Sequence, residues 1–330
     1  MKKRVIIDCD PGIDDSLALM MALSSDAIDV IGITIVCGNS PIDMGFENAK
    51  KILHHMGRLD IPIYKGADRP LAKEYVNALD THGEDGLGES FLEEIAGYDT
   101  HEQAVSFLAR ILHEGPCSVI ALGPLTNFAQ LIQEDEKAFD AIERLVSMGG
   151  TYRSHGNCSP VAEYNYWEDP EAAEIVYRHM EQTGKQIEMV GLDVTRQIVL
   201  TPDLLSYIER LDERQGAFIR NITKFYFDFH WSQEHLIGCV INDPLAVAYF
   251  LDPAVCAGFS SHVDLVTDGP ARGQTIVDAF DFYHRSHNAY VLTKCDPLAF
   301  FQMFLALILH KEKESLDLLE NLIGDRKGIS

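Results

Sequence analysis

The 330-residue sequence is poor in basic side chains, cysteine and long apolar runs. Its 27 lysines and arginines are outnumbered by 51 aspartates and glutamates, which gives a formal net charge of -24 at pH 7. Such an acidic chain repels both nucleic acid and anionic membrane surfaces, so neither is expected as a partner. The seven cysteines form no C-x-x-C pair, and their odd number argues against a disulfide framework. The N-terminal MKKRVIID contains no signal sequence, and we expect a cytoplasmic protein without a membrane span.

Short β-branched runs alternate with longer amphipathic stretches over the first 200 residues. Each run is bounded by Gly, Pro or Asp, which is typical of buried strands. The predicted strands are 5–7, 30–36, 61–64, 118–122, 144–148 and 187–192. The predicted helices between them are 15–23, 46–56, 104–112 and a helix starting at Pro170. The alternation predicts an α/β fold with a doubly wound, mostly parallel central sheet and helices on both faces.

The last third of the chain, from about residue 200 to residue 330, shows a different pattern. Residues 202–229 and 298–309 are predicted to be helical, and 263–268 is a candidate strand. No repeat or Pro/Ser-rich linker separates this part from the rest, so we predict one domain over 1–330 with a mostly helical C-terminal third. Residues 65–100 contain few apolar anchors, and a loop of that length is typically functional or disordered, which suggests a lid.

The stretch VIIDCDPGIDDSLAL (5–19) places four aspartates within eight positions. Asp8 and Asp10 leave the same face of a strand. Asp14 and Asp15 open the next helix, so all four gather where open α/β sheets bind ligands. A helix N-terminus stabilises each charge by only about 0.3–1 kcal/mol, so a cation must offset the remaining repulsion. Converging carboxylates suit Ca²⁺ or Mg²⁺. Capping and turn formation would explain one or two of the aspartates, not four.

Further polar residues follow other predicted strands. Asn39 comes after the second strand, Thr126 and Asn127 after the fourth, and the segment 147–170 after the fifth. Each of these alone is an ordinary turn or cap residue. Because the carboxyl ends of parallel strands meet at one edge of a sheet, we expect them together to surround the aspartates.

Six motifs, in this order along the chain, resemble the inosine-uridine preferring nucleoside hydrolase family. They are DCDPGIDD (8–15), GN (38–39), LGPLTN (122–127), MGG (148–150), AEYNYWEDPEAA (162–173) and NDPLA (242–246). The resemblance implies a doubly wound α/β enzyme, dimeric or tetrameric, that binds Ca²⁺. It implies hydrolysis of the N-glycosidic bond of ribonucleosides, in purine or pyrimidine salvage.

The resemblance also implies roles for individual residues. The metal ligands would be the carboxylates of Asp10, Asp15 and Asp243 and the backbone carbonyl of Thr126. Asp10 would also accept a proton from the attacking water. The ribose would contact Asp14, Asn39, Met148, Asn157, Glu163 and Asn165. Independently of the family, carboxylates stabilise the oxocarbenium-like charge that develops on the ribosyl group. They also repel a 5′-phosphate, so nucleosides are favoured over nucleotides, although Arg153 lies nearby in sequence.

The sequence departs from the family at the position where leaving-group chemistry is expected. Many members carry a histidine directly before the late aspartate, and here that residue is Asn242. An amide cannot act as a general acid, a role typically worth about 10²–10⁴ in rate. Either another group protonates the base, or the substrates need less help. His82 resembles the family's histidine near the base, and His230 and Trp231 are further candidates to contact the base.

Three alternatives remain open at this point. The enzyme could cleave a different N-riboside, or the protein could bind nucleosides or ribose without turnover, as Asn242 suggests. An aspartate-nucleophile phosphohydrolase also starts with a strand ending in D-x-D. That class does not explain the AEYN or NDPLA segments.

Overall fold

The computed structural model describes residues 2–98, 100–312, 316 and 318–323. Within these residues the strands, in chain order, are β1 (Lys3–Cys9), β2 (Ile28–Ile35), β3 (Ile63–Lys65), β4 (Cys117–Ala121), β5 (Ile142–Met148), β6 (Ile187–Val190), β7 (Val199–Leu200), β8 (Cys239–Val240), β9 (Cys256–Ser261), β10 (Val263–Leu265), β11 (Thr275–Val277) and β12 (Ala289–Cys295). The helices are α1 (Ile13–Leu23), α2 (Ile42–His55), α3 (Leu79–His82), α4 (Ala104–Glu114), α5 (Thr126–Asp140), α6 (Tyr164–Glu168), α7 (Pro170–Thr183), α8 (Leu192–Thr195), α9 (Pro202–Leu211), α10 (Glu213–Glu234), α11 (Asp243–Leu251), α12 (Pro297–Ile308) and α13 (Leu319–Ile323).

Eight of these strands form the central sheet in the order β3-β2-β1-β4-β5-β6-β12-β9. The first seven are mutually parallel, and β9 pairs antiparallel with β12 at one edge. The chain order reverses direction between β1 and β4, which is the switch point where open α/β sheets bind ligands. The predicted fold class is confirmed.

The two faces of the sheet carry separate apolar layers. Alternation along β1 places Val5 and Ile7 in one layer and Ile6 in the other, and all three are fully buried. Helices α1, α10, α11 and α12 cover the first face, and α4, α5 and α7 cover the second. The central strand is therefore enclosed on both sides. None of the described helices has the length and apolarity needed to cross a membrane.

The last third differs from its prediction in two respects. The predicted helix 202–229 is divided into α9 and α10 at Asp212, which is extended (φ -152°) and accepts a hydrogen bond from the Gln215 N–H at 2.9 Å. Strands β9 and β12, which were not predicted, extend the central sheet. The candidate strand 263–268 is the short β10, paired with β11. Residues 324–330 of the predicted domain lie outside the described residues.

The segment 65–100 is tied to the body of the protein at several points. The Leu71 N–H donates to Asp169 at 2.9 Å, and the Val76 N–H donates to Glu168 at 3.1 Å. Further along, Gly88 packs so closely on α10 that a Cβ atom there would lie 2.0 Å from a backbone oxygen. These contacts hold α3 beside the site, and the lid role of the segment stays a prediction.

Candidate active site

A polar cavity of about 820 Å³, including its open mouth, lies at the carboxyl ends of the central strands. Strands and loops distant in sequence converge here because parallel strands end at the same edge. Of the predicted site residues, the cavity is lined by Asp14, Asn39, His82, Met148, Asn157, Glu163, Asn165, His230, Asn242 and Asp243. Asp10, Asp15 and Thr126 lie beneath its floor and are at most 1% exposed.

Backbone amides hold the two aspartates beneath the floor. The Asn39 N–H donates to Asp10 Oδ2 at 2.7 Å. The N–H groups of Asp10 and Gly12 donate to the two oxygens of Asp15 at 3.2 and 3.0 Å. The Asn39 side-chain amide adds a bond to Asp15 Oδ2 at 2.9 Å. The backbone of the DCDPGIDD turn thus fixes both carboxylates before any ligand arrives.

Asp10 sits in a cradle made of glycine. A Cβ atom on Gly38 would lie 2.0 Å from Asp10 Oδ2, and one on Gly123 would lie 2.6 Å from Oδ1. Oδ1 is enclosed and has no hydrogen-bond partner among the described residues. A buried polar atom without a partner is costly. This oxygen is therefore available to a ligand.

The floor concentrates negative charge without a neutralising side chain. Oxygens of Asp14, Asp15 and Asp243 lie within 4.8 Å of one another, and all three residues are buried. Neither these carboxylates nor Asp10 forms an ion pair with a lysine or arginine in the described part of the chain. Burial, together with the charge of Asp14, raises the pKa of Asp15 to about 6 and that of Asp243 well above its usual range. The cluster can hold a metal ion.

Asp8 and Thr126 support the floor from below. Asp8 Oδ2 accepts hydrogen bonds from the Thr34 hydroxyl at 2.5 Å and the Asn127 amide at 2.7 Å, and burial raises its pKa to about 7. Thr126 begins α5, and its hydroxyl donates to Asp169 at 2.7 Å. The bond from Asn127 to Asp8 therefore ties the loop after β4 to the end of β1, as predicted for neighbouring strand ends.

The predicted ribose residues of the AEYN segment are tied to each other. Glu163 caps α6 by accepting the Asn165 N–H at 2.8 Å, and it also accepts the Gly150 N–H at 2.9 Å. Burial raises the pKa of Glu163 to about 7. The Asn165 amide donates to the carbonyls of Leu122 and Met148 at 2.6 and 3.1 Å. One wall of the cavity is thus tied to the ends of β4 and β5.

Two residues that hold the loop beside the cavity were not singled out from the sequence. The Asp193 carboxylate accepts backbone N–H bonds from three consecutive residues of the loop that leads to Asn157. The Arg196 guanidinium donates to His155 and Gly156 carbonyls of the same loop and to Glu234 at 3.0 Å. The only sequence feature that could have indicated Asp193 and Arg196 is their position shortly after the predicted strand 187–192.

The opposite end of the cavity is formed by α3, α10 and the start of α11. His82 is buried and its ring centroid lies 5.4 Å from that of Tyr226, which in turn lies 4.5 Å from His230. Asn242 donates through its side-chain amide to Asp14 Oδ2 at 3.0 Å, and its own Oδ1 is enclosed without a partner among the described residues. Burial lowers the pKa of both histidines. This end is rich in aromatic and histidine side chains.

The structure does not bring Trp231 into the cavity. Its side chain is 54% exposed and packs against His235 instead. One turn of α10 places Tyr226 and His230 on the same face, and Phe229 and Gln233 join them in the lining. This i, i+3, i+4, i+7 spacing could have identified the face from sequence, whereas Trp231 falls on another side of the helix.

Fold and site together define an α/β protein whose cavity, at the carboxyl ends of its parallel strands, has an acidic floor able to hold a metal. The profile of the inosine-uridine preferring nucleoside hydrolase family matches residues 5–302, and the chain belongs to this family. It is therefore an N-ribosyl hydrolase with ribonucleoside hydrolase activity. The resemblance predicted from the motifs is confirmed.

Similar proteins cover almost the whole chain. The pyrimidine-specific ribonucleoside hydrolase RihA of Photobacterium profundum is 34% identical over 299 residues, which cover 88% of this chain and 94% of that protein. A purine-preferring ribonucleoside hydrolase from Gardnerella vaginalis superposes with a TM-score of 0.86 at 31% identity, covering 93% of this chain and 98% of the other. A plant nucleoside hydrolase gives a TM-score of 0.87 at 29% identity, covering 94% and 99%.

Proposed function

We propose that this enzyme uses bound Ca²⁺ to hydrolyse the N-glycosidic bond of ribonucleosides, releasing ribose and the free base, and that it prefers pyrimidine ribonucleosides. The convergence of the buried carboxylates of Asp14, Asp15 and Asp243, with no cationic side chain paired to them in the described part of the chain, carries the proposal, and Asp10 is buried beneath the same floor. Buried carboxylates that lie close together raise one another's pKa, and a bound divalent cation would offset their repulsion.

The donor set supports a hard cation. It consists of the carboxylates of Asp10, Asp15 and Asp243 and the backbone carbonyl of Thr126, all of which are oxygen ligands. The enclosed Oδ1 of Asp10 lacks a hydrogen-bond partner among the described residues and is the natural ligand atom of that residue. Ca²⁺, when bound, would supply a lowered pKa for a coordinated water. Histidine and cysteine, which zinc selects, are absent from this set.

The chain's own residues would do the rest of the chemistry. Asp10 accepts a proton from the attacking water while Asp14, Asn39, Glu163 and Asn165 hold the ribose hydroxyls. Met148 packs against the sugar, and Asn157 contacts the 5′-hydroxyl. As the C1′–N bond breaks, its electron pair leaves with the base, and the surrounding carboxylates stabilise the positive ribosyl group.

The cavity favours nucleosides over nucleotides. Arg196 is the single lysine or arginine that lines it in the described part of the chain. The guanidinium is committed to loop carbonyls and to Glu234, so it does not offer a free charge to a 5′-phosphate. Arg153 is exposed and stacks on Tyr152 instead, with its guanidinium 4.9 Å from the ring centroid.

Asn242 supports the pyrimidine preference. Purine bases leave readily when a ring nitrogen is protonated, and an amide cannot provide that proton. The pyrimidine-specific relative from Photobacterium profundum agrees with this choice, while the purine-preferring relative from Gardnerella vaginalis makes inosine the necessary comparison substrate.

The test is ribose release from uridine, cytidine, inosine, adenosine, guanosine and p-nitrophenyl riboside, after EDTA treatment and with Ca²⁺ or Mg²⁺ added back. We expect turnover of uridine that EDTA abolishes and Ca²⁺ restores. Turnover of p-nitrophenyl riboside alone would replace the proposed substrate by a different N-riboside. Ribonucleoside binding without any turnover, even at high enzyme concentration, would establish an idle binding protein.

We also propose a cytoplasmic homodimer or homotetramer. None of the seven cysteines forms a disulfide, which suits a reducing compartment. Phe280 and Phe282 are 75% and 76% exposed, and Tyr283 beside them is 59% exposed, which suits a contact with a second subunit. Light scattering coupled to size-exclusion chromatography measures the mass, and a monomer at micromolar concentration would contradict the proposed assembly.

A further inference from the structure

Asn157 lies in the loop between β5 and α6, which has no regular secondary structure. The residue is exposed and lines the cavity. Its side-chain Oδ1 accepts the Tyr164 N–H at 2.9 Å, and its Nδ2 donor has no hydrogen-bond partner among the described residues. A contact made from a loop is only as precise as the groups that hold the loop in place.

The first half of this loop is held through its backbone N–H groups by one carboxylate. Asp193, on α8, accepts the Tyr152 N–H at 2.6 Å through Oδ2. Through Oδ1 it accepts the N–H groups of Arg153 and Ser154 at 2.7 and 3.0 Å. Hydrogen bonds to an ionised carboxylate are stronger than those between neutral groups.

The second half is held through its carbonyl oxygens by one guanidinium. Arg196 donates to the His155 carbonyl at 2.6 Å through Nη1 and to the Gly156 carbonyl at 3.1 Å through Nη2. Arg196 follows Asp193 by three residues, so both side chains leave the same side of α8 and its C-cap. Each residue from 152 to 156 is therefore bound through its backbone by one of these two side chains.

Arg196 also joins the loop to a second wall of the cavity. Its Nη2 donates to Glu234 Oε1 at 3.0 Å, and Glu234 is the last residue of α10. Both side chains line the cavity and are only 19% and 34% exposed. The planar guanidinium presents its donors in a fixed fork, so one side chain can bind the loop and α10 together.

We propose that Arg196 is a positioning residue for the ribose 5′-hydroxyl, because it fixes the backbone before Asn157 and so places the Asn157 amide against that hydroxyl. The inference rests on the proposed function, which assigns Asn157 to the 5′-hydroxyl. Arg196 itself stays bound to the loop and to Glu234 and does not touch the substrate. The 5′-hydroxyl is remote from the bond that breaks, so its contact assists the reaction only when the ribose is held in a defined position.

The first experiment measures kcat and KM of the Ca²⁺-loaded enzyme for p-nitrophenyl riboside and its 5-deoxy analogue. The two substrates share a leaving group and differ only in the 5-hydroxyl. Arg196→Met keeps the apolar stem of the side chain and removes the fork. We expect kcat/KM to fall about tenfold for the riboside and less than about twofold for the 5-deoxy analogue. Equal losses on both substrates would show a merely structural role and overturn the proposal.

A double variant tests whether Arg196 acts through Asn157. If it does, Asn157→Ala combined with Arg196→Met should lose no more kcat/KM on p-nitrophenyl riboside than Asn157→Ala alone. Losses that multiply would show that the two residues act independently, and the proposal would be wrong.

Two further substitutions separate the hydrogen-bonding fork from the charge. Arg196→Lys keeps the charge and lacks the fork, so it should resemble Arg196→Met. Full activity of the lysine variant would contradict the proposal. Arg153→Met is the matched control, because Arg153 lies in the same loop and its exposed guanidinium stacks on Tyr152. It should leave both substrates unaffected.

Hydrogen–deuterium exchange measures the hold on the loop without turnover. We expect the backbone amides of 152–157 to exchange slowly in the Ca²⁺-loaded wild type and faster in Arg196→Met, with exchange in β1 and α1 unchanged. Unchanged exchange at 152–157 overturns the proposal. A wild-type enzyme that is silent on every substrate would refute the proposed function and leave this measurement valid.

Glu234→Gln provides the test if Arg196→Met does not fold. This substitution leaves the bonds from Arg196 to the loop in place and weakens only its tie to α10. We expect kcat/KM to fall about threefold for p-nitrophenyl riboside and to stay unchanged for the 5-deoxy analogue. Equal losses on the two substrates would again overturn the proposal.

Discussion

The two ends of the cavity are built by different means. One is the acidic side, and the other, which we call the base end, is formed by α3, α10 and the start of α11 and is where we propose that the base binds. On the floor and the wall beside it, backbone amides hold Asp10, Asp15 and Glu163 through bonds of 2.7 to 3.2 Å. At the base end, the Tyr226 hydroxyl lies 3.4 Å from both Asp14 Oδ2 and the Asn242 amide, and packed rings fill the remaining space. Backbone amides fix the carboxylates of the acidic side, whereas packed side chains shape the base end.

That difference explains how one family can contain relatives of different base preference. The ribosyl group and its developing charge are common to all ribonucleosides, so the role we propose for the acidic side is the same for every substrate. The bases differ in size and acceptor pattern, so the base end must vary. Substitutions on the floor should therefore affect all substrates equally, and substitutions at the base end should affect them selectively.

Asp10→Asn should produce the largest effect. Removing the proposed proton acceptor and metal ligand should lower kcat roughly 10²- to 10⁴-fold, by the same factor for uridine, inosine and p-nitrophenyl riboside. The circular dichroism spectrum should not change, because the amide fills the same glycine cradle. Asp26→Asn, on the surface and paired with Lys2, is the control. A loss of kcat for only one of the three substrates would contradict the proposed difference between the acidic side and the base end.

Asn242→His should act selectively. A histidine at this position can protonate a purine, so inosine turnover should rise by up to about 10²-fold, while uridine changes little. The measurement is kcat/KM for both nucleosides at several pH values. A variant that treats both alike would show that position 242 does not face the base.

Gly12→Ala should disturb both the acidic side and the base end of the cavity. The new Cβ would lie 2.6 Å from His82 Nδ1 and 2.9 Å from the Asn39 side-chain amide. Displacing either group should lower kcat/KM for uridine about tenfold, as loss of one well-placed hydrogen bond does. p-Nitrophenyl riboside separates the two displacements, since we propose that Asn39 contacts the ribose of every substrate, whereas the nitrophenolate leaving group departs without protonation. Full activity would show that the turn tolerates the extra methyl group.

The smallest expected effect is on stability. Asp8 and Asp15 have pKa values raised to about 7 and about 6 in the metal-free protein, against about 4 in an unfolded chain. Between about pH 4 and pH 7 the folded state therefore binds more protons than the unfolded chain. The free energy of unfolding of the metal-free protein falls as the pH rises through this range. A bound cation favours the ionised carboxylates, so the Ca²⁺-induced increase in Tm should grow by a few degrees from pH 5 to pH 8. An increase that is larger at pH 5 would contradict this.

The same comparison separates what the sequence could predict from what it could not. Asp8, Asp10, Asp14 and Asp15 are adjacent in the chain and follow a strand with an unmistakable apolar pattern, so local rules suffice to place them. The ribose residues follow neighbouring strands, and the topology of a parallel sheet brings them together. The fold class was predictable for the same reason.

The base end required tertiary information. Tyr226 and His230 lie on a 22-residue helix whose direction across the cavity no local pattern specifies. Trp231 differs from His230 by one position, yet about 100° of helix rotation turns it to solvent. Asp193 and Arg196 act on a loop about 40 residues away in the chain. Strands β9 and β12 were missed because an edge pairing depends on what the rest of the sheet leaves open.

The acidic floor is assembled from residues that lie far apart in the chain and are therefore synthesised at different times. Asp14 and Asn242 are 228 residues apart, and Asp243 begins a helix that packs along α1. During synthesis, the first aspartates emerge long before their last partner. The cluster of Asp14, Asp15 and Asp243 can therefore be complete only after α11 has left the ribosome, and it depends on a contact of high sequence separation.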